Sequence, residues 1–193
     1  EHFPEVPIVA LTATADKLTR QDIVEQLDLK DPQIFISSFD RPNLSLSVKR
    51  GFQQREKTRA ILDFIAKHPN ECGIIYCMSR DKTEKVAEML AKHGIRASIY
   101  HAGLSTSARN KAQDDFINDR IQVICATIAF GMGIDKSNVR YILHYSMPMN
   151  IEAYYQEAGR AGRDGAPGEC ILLYSGQDVM QCKWLLRHGL EES

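Results

Sequence analysis

The chain has 193 residues, of which 44% are hydrophobic and 25% charged, a composition typical of a globular protein with a sizeable core and not of a disordered one. Lys and Arg number 24 against 25 Asp and Glu, for a net charge of −1, so any nucleic-acid site must be local. No apolar run approaches a membrane span, and the amino terminus, EHFPEVPIVA, lacks the basic and apolar regions of a signal peptide.

Five cysteines are present, an odd number with no paired C-x-x-C. Four of them lie in or beside apolar runs, where a reduced cysteine packs as a small hydrophobe. We therefore expect reduced thiols, an intracellular compartment and no metal site. The chain also begins without Met, which suggests a piece excised from a longer protein.

Short β-rich apolar runs alternate with helical patterns along the chain, the rhythm of a parallel sheet covered by helices. The predicted strands are the runs Val6–Leu11, Gln33–Ser38, Leu44–Val48, Gly73–Cys77, Ala97–Tyr100, Val123–Ala126, Arg140–Tyr145 and Cys170–Tyr174. Continuous apolar runs of this kind suit strands that are buried on both faces. The predicted fold class is α/β, with a mainly parallel sheet and helices on both faces.

Two of the predicted helices are well marked. Ser79 is the expected N-cap of the helix Arg80–His93, and Gly94 is its stop. Apolar residues recur at helical spacing: Val86, Met89 and Leu90 in this helix, and Ala108, Ala112 and Phe116 in the next. A weak boundary is predicted near Leu29 to Asn43, where two prolines and scattered charges separate an opening strand and helix from the rest.

Polar and glycine-bearing segments follow four of the predicted strands. They are Met78–Arg80, His101–Leu104, Thr127–Asp135 and, through Met147–Met149, an arginine-bearing segment. Open parallel sheets gather ligands beyond the carboxyl ends of their strands, so these segments are candidates for one site. Each is open to a simpler interpretation, since a serine or threonine often only caps a helix, a lone histidine has many structural uses, and glycines permit turns.

The segment Tyr154–Gly165, YYQEAGRAGRDG, is the most informative of the four. Gln156, Gly159, Arg160 and Arg163 follow a spacing of three and four residues, which predicts that they project from one helical face. Guanidinium groups are planar and permanently charged, which suits them to bind phosphate oxygens. The alternative is a solvated polar face. Glu157 and Asp164 in the same segment are expected to balance the two arginines.

Six motifs together resemble the ordered motif set of the RecQ family of DNA helicases, within the superfamily-two helicases. They are ALTATA (10–15), FDRPNL (39–44), GIIYCMSR (73–80), YHAGL (100–104), ATIAFGMGIDK (126–136) and YYQEAGRAGRDG (154–165). The resemblance implies a RecA-like fold. It further implies a remnant of the first helicase lobe over residues 1–28, an interlobe linker over 29–43, and a RecA-like helicase C-terminal domain over 44–193.

The resemblance also implies roles for individual residues. Arg160 and Arg163 are similar to the arginine fingers that reach the ATP γ-phosphate, with Gln156 positioning the same network, and Gly133, Asp135 and Gly159 match nucleotide-binding positions. The expected single-stranded DNA track comprises Ser79, Arg80, His101, Gly103, Thr127 and Gly131, which would contact the backbone rather than the bases. Thr12 and Thr14 match the segment that couples hydrolysis to strand movement.

The sequence contains no G-x-x-x-x-G-K-[ST] phosphate cradle and no D-E-x-H acid segment. We therefore expect ATP and Mg²⁺ to be bound mainly by the absent first lobe, and the isolated chain to be inactive. The family's zinc-binding and winged-helix regions would follow the carboxyl end.

The function that the resemblance implies is that of an ATP-dependent 3′-to-5′ DNA helicase. Its expected partners are ATP, single-stranded DNA with a duplex junction, and the missing first lobe, with no membrane. Its expected location is the bacterial cytoplasm, at the nucleoid, rather than a nucleus. Two alternatives stay open: a lobe of a superfamily-two RNA-dependent ATPase, and a non-enzymatic nucleic-acid-binding module of RecA-like fold.

Overall fold

The computed structural model describes residues 6–12, 15–36, 40–51, 53–127, 130 and 136–188. The chain divides into two compact units, Glu1–Asp40 and Arg41–Ser193. The second unit contains the sheet, the core and the described residues of the candidate site.

The described part of the first unit contains one helix, α1 (Lys17–Gln26), whose N-cap Asp16 accepts a hydrogen bond from the Thr19 N–H at 2.7 Å. The strands predicted at Val6–Leu11 and Gln33–Ser38 are wrong over their described residues, 6–11 and 33–36, which form no strand. A strand needs a partner for its backbone groups. These runs have none among the described residues of this unit, and Leu11 and Phe35 are 91% and 92% exposed. The opening segment thus lies outside the main sheet, as predicted.

The second unit is built on a sheet of six strands, β1 (Leu44–Arg50), β2 (Gly73–Tyr76), β3 (Ala97–Tyr100), β4 (Val123–Ala126), β5 (Tyr141–His144) and β6 (Gly168–Tyr174). Their order across the sheet is β1-β6-β5-β2-β4-β3, and every neighbouring pair is parallel. The predicted α/β class and parallel sheet are confirmed. All six strands end at the same edge, which we call the carboxyl edge.

Five helices of the second unit connect and follow these strands: α2 (Gln54–Ala66), α3 (Arg80–Lys92), α4 (Thr106–Ile117), α5 (Ile151–Ala158) and α6 (Gly176–His188). Helix α3 begins where the sequence predicts, because the Ser79 Oγ accepts a hydrogen bond from the Lys82 N–H at 3.3 Å. Within α4, Ala112 and Phe116 are buried, but Ala108 is exposed, so the predicted apolar repeat covers only the later turns.

Apolar side chains cover both faces of the sheet. Along β2 they alternate: Ile75 belongs to the core cluster formed with α2 and α3, whereas Ile74 and Tyr76 belong to the cluster formed with α4 and α5. Successive strand residues point to opposite faces. The continuous apolar run at Gly73–Cys77 therefore supplies both cores, which explains why it shows no polar alternation.

Helix α6 is joined to α2 by a buried ion pair that the sequence did not reveal. The Lys57 Nζ is 2.6 Å from the Asp178 Oδ2 and also donates to the Tyr145 carbonyl oxygen at 2.6 Å. Ser175 donates to the same carboxylate through both its N–H and its hydroxyl. A buried charge pair is tolerated when its remaining donors and acceptors are satisfied, as they are here.

All five cysteines are free and buried, as the apolar runs predicted. Burial raises the pKa of each thiol, and those of Cys77 and Cys170 reach about 12. Over the described residues, no helix is long and apolar enough to cross a bilayer.

Candidate functional site

The carboxyl edge has a change of chain direction at its centre. From β2 the chain moves outward to β3 and returns through β4, and it then passes to the other side of β2 to form β5 and β6. Ligands of open parallel sheets bind outside the carboxyl ends of the strands at such a change of direction. Tyr76 and His144, which end β2 and β5, pair side by side there.

The turn after α5 carries both predicted arginine fingers, and it corrects the predicted geometry. Helix α5 ends at Ala158, so Arg160 and Arg163 do not share a helical face with Gln156. The Arg160 and Ala161 N–H groups bond to carbonyls only three residues back, and the Gly162 N–H leaves the helical pattern for the Val139 carbonyl oxygen at 2.8 Å. We call residues 159–166 the arginine loop.

Gly162 makes the reversal in this loop possible. Its φ is +55°, in the left-handed region that favours glycine. A Cβ at this position would lie 2.5 Å from both the Ala166 carbonyl oxygen and the Asn43 Nδ2. Gly162 therefore sets the path of the arginine loop, because no other residue would fit this backbone conformation and this space.

Two side chains from the start of the second unit bind the backbone of the arginine loop. The Arg41 guanidinium donates to the carbonyl oxygens of Gly159, Ala161 and Gly162 at 3.3, 3.1 and 2.9 Å. The Asn43 Nδ2 donates to the carbonyl oxygens of Gly162 and Ala166 at 2.9 and 2.8 Å. Both belong to the RPN of the FDRPNL motif, for which the sequence suggested no such contact.

The two acids of the arginine segment are bonded to residues outside the arginine loop. Asp164 accepts two hydrogen bonds from the Arg140 Nη2, at 2.6 Å each, which hold the pKa of its carboxyl below the ordinary value. Glu157 is buried, and its Oε2 is 2.8 Å from the Nε2 of the fully buried His144. Both carboxylates thus have partners, His144 and Arg140, that do not belong to the arginine loop.

Arg160 lies over the end of β2. Burial raises the pKa of the Tyr76 phenol, and the positive charge of Arg160 opposes that rise. The Tyr76 hydroxyl donates to the Phe130 carbonyl oxygen at 2.9 Å. The Nε of Arg160 is buried without a hydrogen-bond partner among the described residues. Arg163 is exposed, with its Nε 3.5 Å from the Gly159 carbonyl oxygen.

The expected single-strand residues lie at the carboxyl edge, after β2, β3 and β4, whereas the arginine loop is bonded to residues that precede β1 and β5, so the four predicted segments do not all share one edge. Arg80 packs over Gly103, where a Cβ would lie 2.9 Å from the arginine Nη1. The structure therefore brings together one exposed cation and one glycine from two different strand ends. Ser79 is half-buried and caps α3, so the capping interpretation holds for its side chain.

His101 and Thr127 are less accessible members of this group. The His101 side chain is buried, with its Nε2 3.2 Å from the Glu84 Oε1 and its Nδ1 without a partner in the described part of the chain. Thr127 is half-buried, and its backbone donates to the Tyr100 carbonyl and accepts from the Phe130 N–H. These contacts fit the simpler structural interpretation of both residues at least as well as a DNA contact.

Several predicted positions lie elsewhere or outside the described residues. Gly131, Gly133, Asp135 and Thr14 are outside the described ranges. Gln156 is exposed on α5, and Thr12 is exposed in the first unit. The arginine loop offers cations that suit phosphate oxygens. No group of three or more His, Cys, Asp or Glu side chains that could hold a metal occurs within the described ranges.

Comparison with known proteins shows the family. Residues 56–165 match the helicase conserved C-terminal domain, more than half of the chain. The chain belongs to this family. Among curated proteins it is 49% identical over 190 residues to the ATP-dependent DNA helicase RecQ of Pasteurella multocida, covering 98% of this chain and 29% of that protein. It is also 49% identical over 191 residues to the RecQ-like DNA helicase BLM of Xenopus laevis, covering 97% of this chain and 14% of that protein.

These likenesses make the chain a RecQ-family helicase C-terminal lobe, as the motifs predicted. The lobe spans less than a third of the length of the curated relatives that it matches. Its fold resembles the solved structure of S. cerevisiae Dbp5 bound to RNA and ADP BeF3, with a TM-score of 0.72 and 19% identity over 92% of this chain and 47% of that one. The predicted RecA-like fold is thereby confirmed.

Sequence reasoning missed the residues of this RecQ-family lobe that hold the arginine loop. Arg41, Asn43 and Arg140 bind it from the sides, and the His144–Glu157 pair lies beneath it. The motifs did contain Arg41, Asn43 and Glu157, but no spacing rule connects Arg41 and Asn43 with carbonyls that lie 118 to 123 positions later in the chain. Only the sheet order, which brings β1, β6 and β5 side by side, joins them.

Proposed function

We propose that this lobe belongs to an ATP-dependent DNA helicase that moves 3′ to 5′, and that Arg160 and Arg163 act on the terminal phosphate of ATP bound mainly by the first lobe. The observation that carries the proposal is the arginine loop itself. It carries two arginines, of which Arg160 lies beside the phenol of Tyr76 at the end of β2, while the neighbouring acids Glu157 and Asp164 are bonded to His144 and Arg140.

ATP with Mg²⁺ supplies the free energy of phosphate-bond hydrolysis when it is bound. The part of this lobe is electrostatic: a guanidinium fixed before the reaction stabilises the charge that spreads over the γ-phosphate oxygens, without reorganising during the step. Arg163 is exposed and suited to reach across a cleft, whereas Arg160 is half-buried beside Tyr76. We assign Gln156, Gly133, Asp135 and Gly159 to the same nucleotide network.

The second part of the proposal is the single-stranded DNA track. We assign Ser79, Arg80, His101, Gly103, Thr127 and Gly131 to it, with Thr12 and Thr14 coupling hydrolysis to movement. Arg80 and Gly103 carry this assignment best, since a cation beside a bare glycine backbone lets a phosphate approach closely. His101 is the weakest member, because its side chain is buried against Glu84. The proposed location is the cytoplasm, at the nucleoid.

The decisive experiment is Arg163→Ala in the full-length parent protein. We expect kcat for DNA-stimulated ATP hydrolysis to fall by roughly 10³ to 10⁵, because the transition-state charge loses its counter-charge. ATP affinity and melting temperature should change little, since this side chain is exposed. Arg163→Lys should restore little activity, because an ammonium cannot reproduce the planar fork.

Arg59→Ala is the matched control, since Arg59 is an exposed arginine on α2 whose guanidinium lies 3.8 Å from Asp63. It should leave kcat unchanged. The isolated 193-residue chain should show no turnover in the same assay. A lower melting temperature with normal kcat for Arg163→Ala would refute the finger assignment. Equal unwinding of RNA and DNA duplexes would favour the RNA-dependent alternative, and a parent without any ATPase activity would favour the binding module.

A further inference from the structure

The end of helix α5 leaves a set of carbonyl groups that its own turns do not satisfy. The last carbonyls of any helix lack intrahelical donors. Here the chain also reverses at Gly162, so the carbonyl oxygens of Gly159, Ala161 and Gly162 become available on one side of the arginine loop. The Gly162 carbonyl oxygen also accepts from the Gly165 N–H at 3.0 Å, and the Gly159 carbonyl oxygen lies 3.5 Å from the Arg163 Nε, whereas that of Ala161 depends on a donor from outside the loop.

One guanidinium satisfies all three carbonyls. Arg41 reaches them through Nη1 and Nη2, at 2.9 to 3.3 Å. The positive charge also lies at the carboxyl end of α5, where the helix dipole favours a cation. Lysine could not make this contact, because an ammonium is a compact donor with no fork. The position therefore calls for arginine in particular.

Asn43 holds the far side of the same turn. Its Nδ2 bridges the carbonyl oxygens of Gly162 and Ala166, which closes the loop on itself. The backbone around it is fixed in turn, because the Gly168 N–H donates to the Asn43 carbonyl oxygen and the Leu44 N–H donates to that of Arg41. Arg41 and Asn43 are thus held by the start of β1 and the start of β6.

We propose that Arg41 and Asn43 are positioning residues for the two arginine fingers, acting through the backbone of the arginine loop. This inference rests on the proposed function, because it gives the fingers their fixed geometry. Arg41 is also the first residue of the second unit, so the segment by which the chain enters this unit is the one that binds the loop. Displacement of a catalytic group by about 1 Å can cost a hundredfold in rate.

The test is a double-mutant cycle in the full-length parent, with Arg41→Ala and Arg163→Ala alone and together. If Arg41 acts through the loop, Arg41→Ala should lower kcat by tenfold to a hundredfold with little change in the KM for ATP or in DNA affinity. In the background of Arg163→Ala it should lower kcat by a smaller factor than in the parent, because only Arg160 remains to be positioned. Arg41→Lys should resemble Arg41→Ala, and Asn43→Ala should show a smaller effect in the same direction.

Hydrogen exchange gives a readout that needs no catalysis. In Arg41→Lys the amides of Gly162, Asp164 and Gly165 should exchange faster, while those of β2 remain protected. Arg59→Ala is the control for loss of an arginine elsewhere in the unit. If Arg41→Ala destabilises the fold as a whole, the milder lysine variant still decides the question.

The outcomes separate the two proposals. Normal kcat in Arg163→Ala would overturn the proposed function. A large loss in Arg163→Ala with normal kcat in both Arg41 variants would overturn only the positioning role. Fully multiplicative losses in the double mutant would also overturn it, because Arg41 would then act independently of the finger.

Discussion

The arginine loop, which is bonded to residues that precede β1, β5 and β6, and the Arg80–Gly103 region, which follows β2 and β3, are held differently. The loop receives hydrogen bonds from the side chains of Arg41, Asn43 and Arg140. Arg80 is an exposed first residue of α3 that rests on Gly103. In the arginine loop, hydrogen bonds from other side chains fix the backbone that carries the arginines. In the Arg80–Gly103 region, only the backbone of Arg80 is fixed, and its long side chain extends from it.

The difference matches what each region is proposed to do. Stabilising a transition state requires charges that are oriented before the reaction, so the supporting contacts must be many. Following a nucleic-acid backbone requires donors that can adjust as successive phosphates pass, so a mobile side chain over a bare glycine is sufficient. Rigid support of an arginine is therefore the better structural sign of a chemical role.

The largest effect is expected from a substitution at Gly162, which sets the path of the arginine loop. Gly162→Ala combines a strained left-handed φ with a Cβ only 2.5 Å from Asn43 and from the Ala166 carbonyl oxygen. We expect it to lower the free energy of unfolding by roughly 2 to 4 kcal/mol, since strain and overpacking each cost about 1 to 3 kcal/mol. Urea denaturation measures this, and kcat in the parent should fall as well.

Gly165→Ala is the matched control for that variant. Gly165 has a φ of +83° but nothing within 4 Å of a Cβ, so it carries the strain without the crowding. It should cost only about 1 to 2 kcal/mol. Equal losses in the two variants would mean that the contact with Asn43 does not shape the loop.

The Arg80–Gly103 region is tested by Arg80→Ala in the full-length parent. Its affinity for single-stranded DNA should fall uniformly across sequences, and the slope of log K against log salt should decrease by about 1, as for the loss of one phosphate contact. Fluorescence anisotropy with several oligonucleotides measures both. Lys85→Ala on the same helix, which removes an exposed ion pair with Asp81, should change neither. Strong sequence dependence of the Arg80 effect would contradict a backbone contact.

The smallest expected effect is the pH dependence of the Arg140–Asp164 pair. The hydrogen bonds from Arg140 lower the pKa of Asp164 below its unfolded value. Its contribution to stability is thus complete above the unfolded pKa, near 4, and is lost as the pH falls through the folded pKa. Asp164→Asn should therefore be less stable than the parent sequence at pH 7, with the gap in urea midpoint closing towards pH 2.

Asp63→Asn controls for loss of a surface carboxylate, because Asp63 lies 3.8 Å from Arg59 on the exposed side of α2. It should shift the midpoint little at either pH. A gap for Asp164→Asn that stays constant from pH 7 to pH 2 would show that the carboxylate charge does not hold the loop.

Local sequence signals predicted the elements of the second unit closely. The runs at Ala97–Tyr100 and Val123–Ala126 are strands with those very bounds, and Ser79 caps α3 as its position indicates. These features depend on nearest neighbours along the chain. The runs Val6–Leu11 and Gln33–Ser38 looked equally strand-like, but strand formation requires a partner, which local composition does not reveal.

The same limit applies to the site. The motif predicted an arginine helix at the carboxyl edge, but α5 ends at Ala158, and the loop that follows is bonded to residues that precede β1 and β5. The spacing did not predict that Gly162 adopts a positive φ or that the Asn43 side chain lies beside it. Nor could it pair Glu157 with His144, because that contact depends on which strand neighbours which in the sheet.

Because every cysteine is buried and its pKa raised, the folded unit conceals its thiols from electrophiles. A cysteine substituted at the exposed Ser137, whose carbonyl oxygen accepts from the Asp164 N–H of the arginine loop, would therefore react with a maleimide well before the native ones. A fluorophore attached there without removing any native cysteine could report how this part of the lobe moves during turnover.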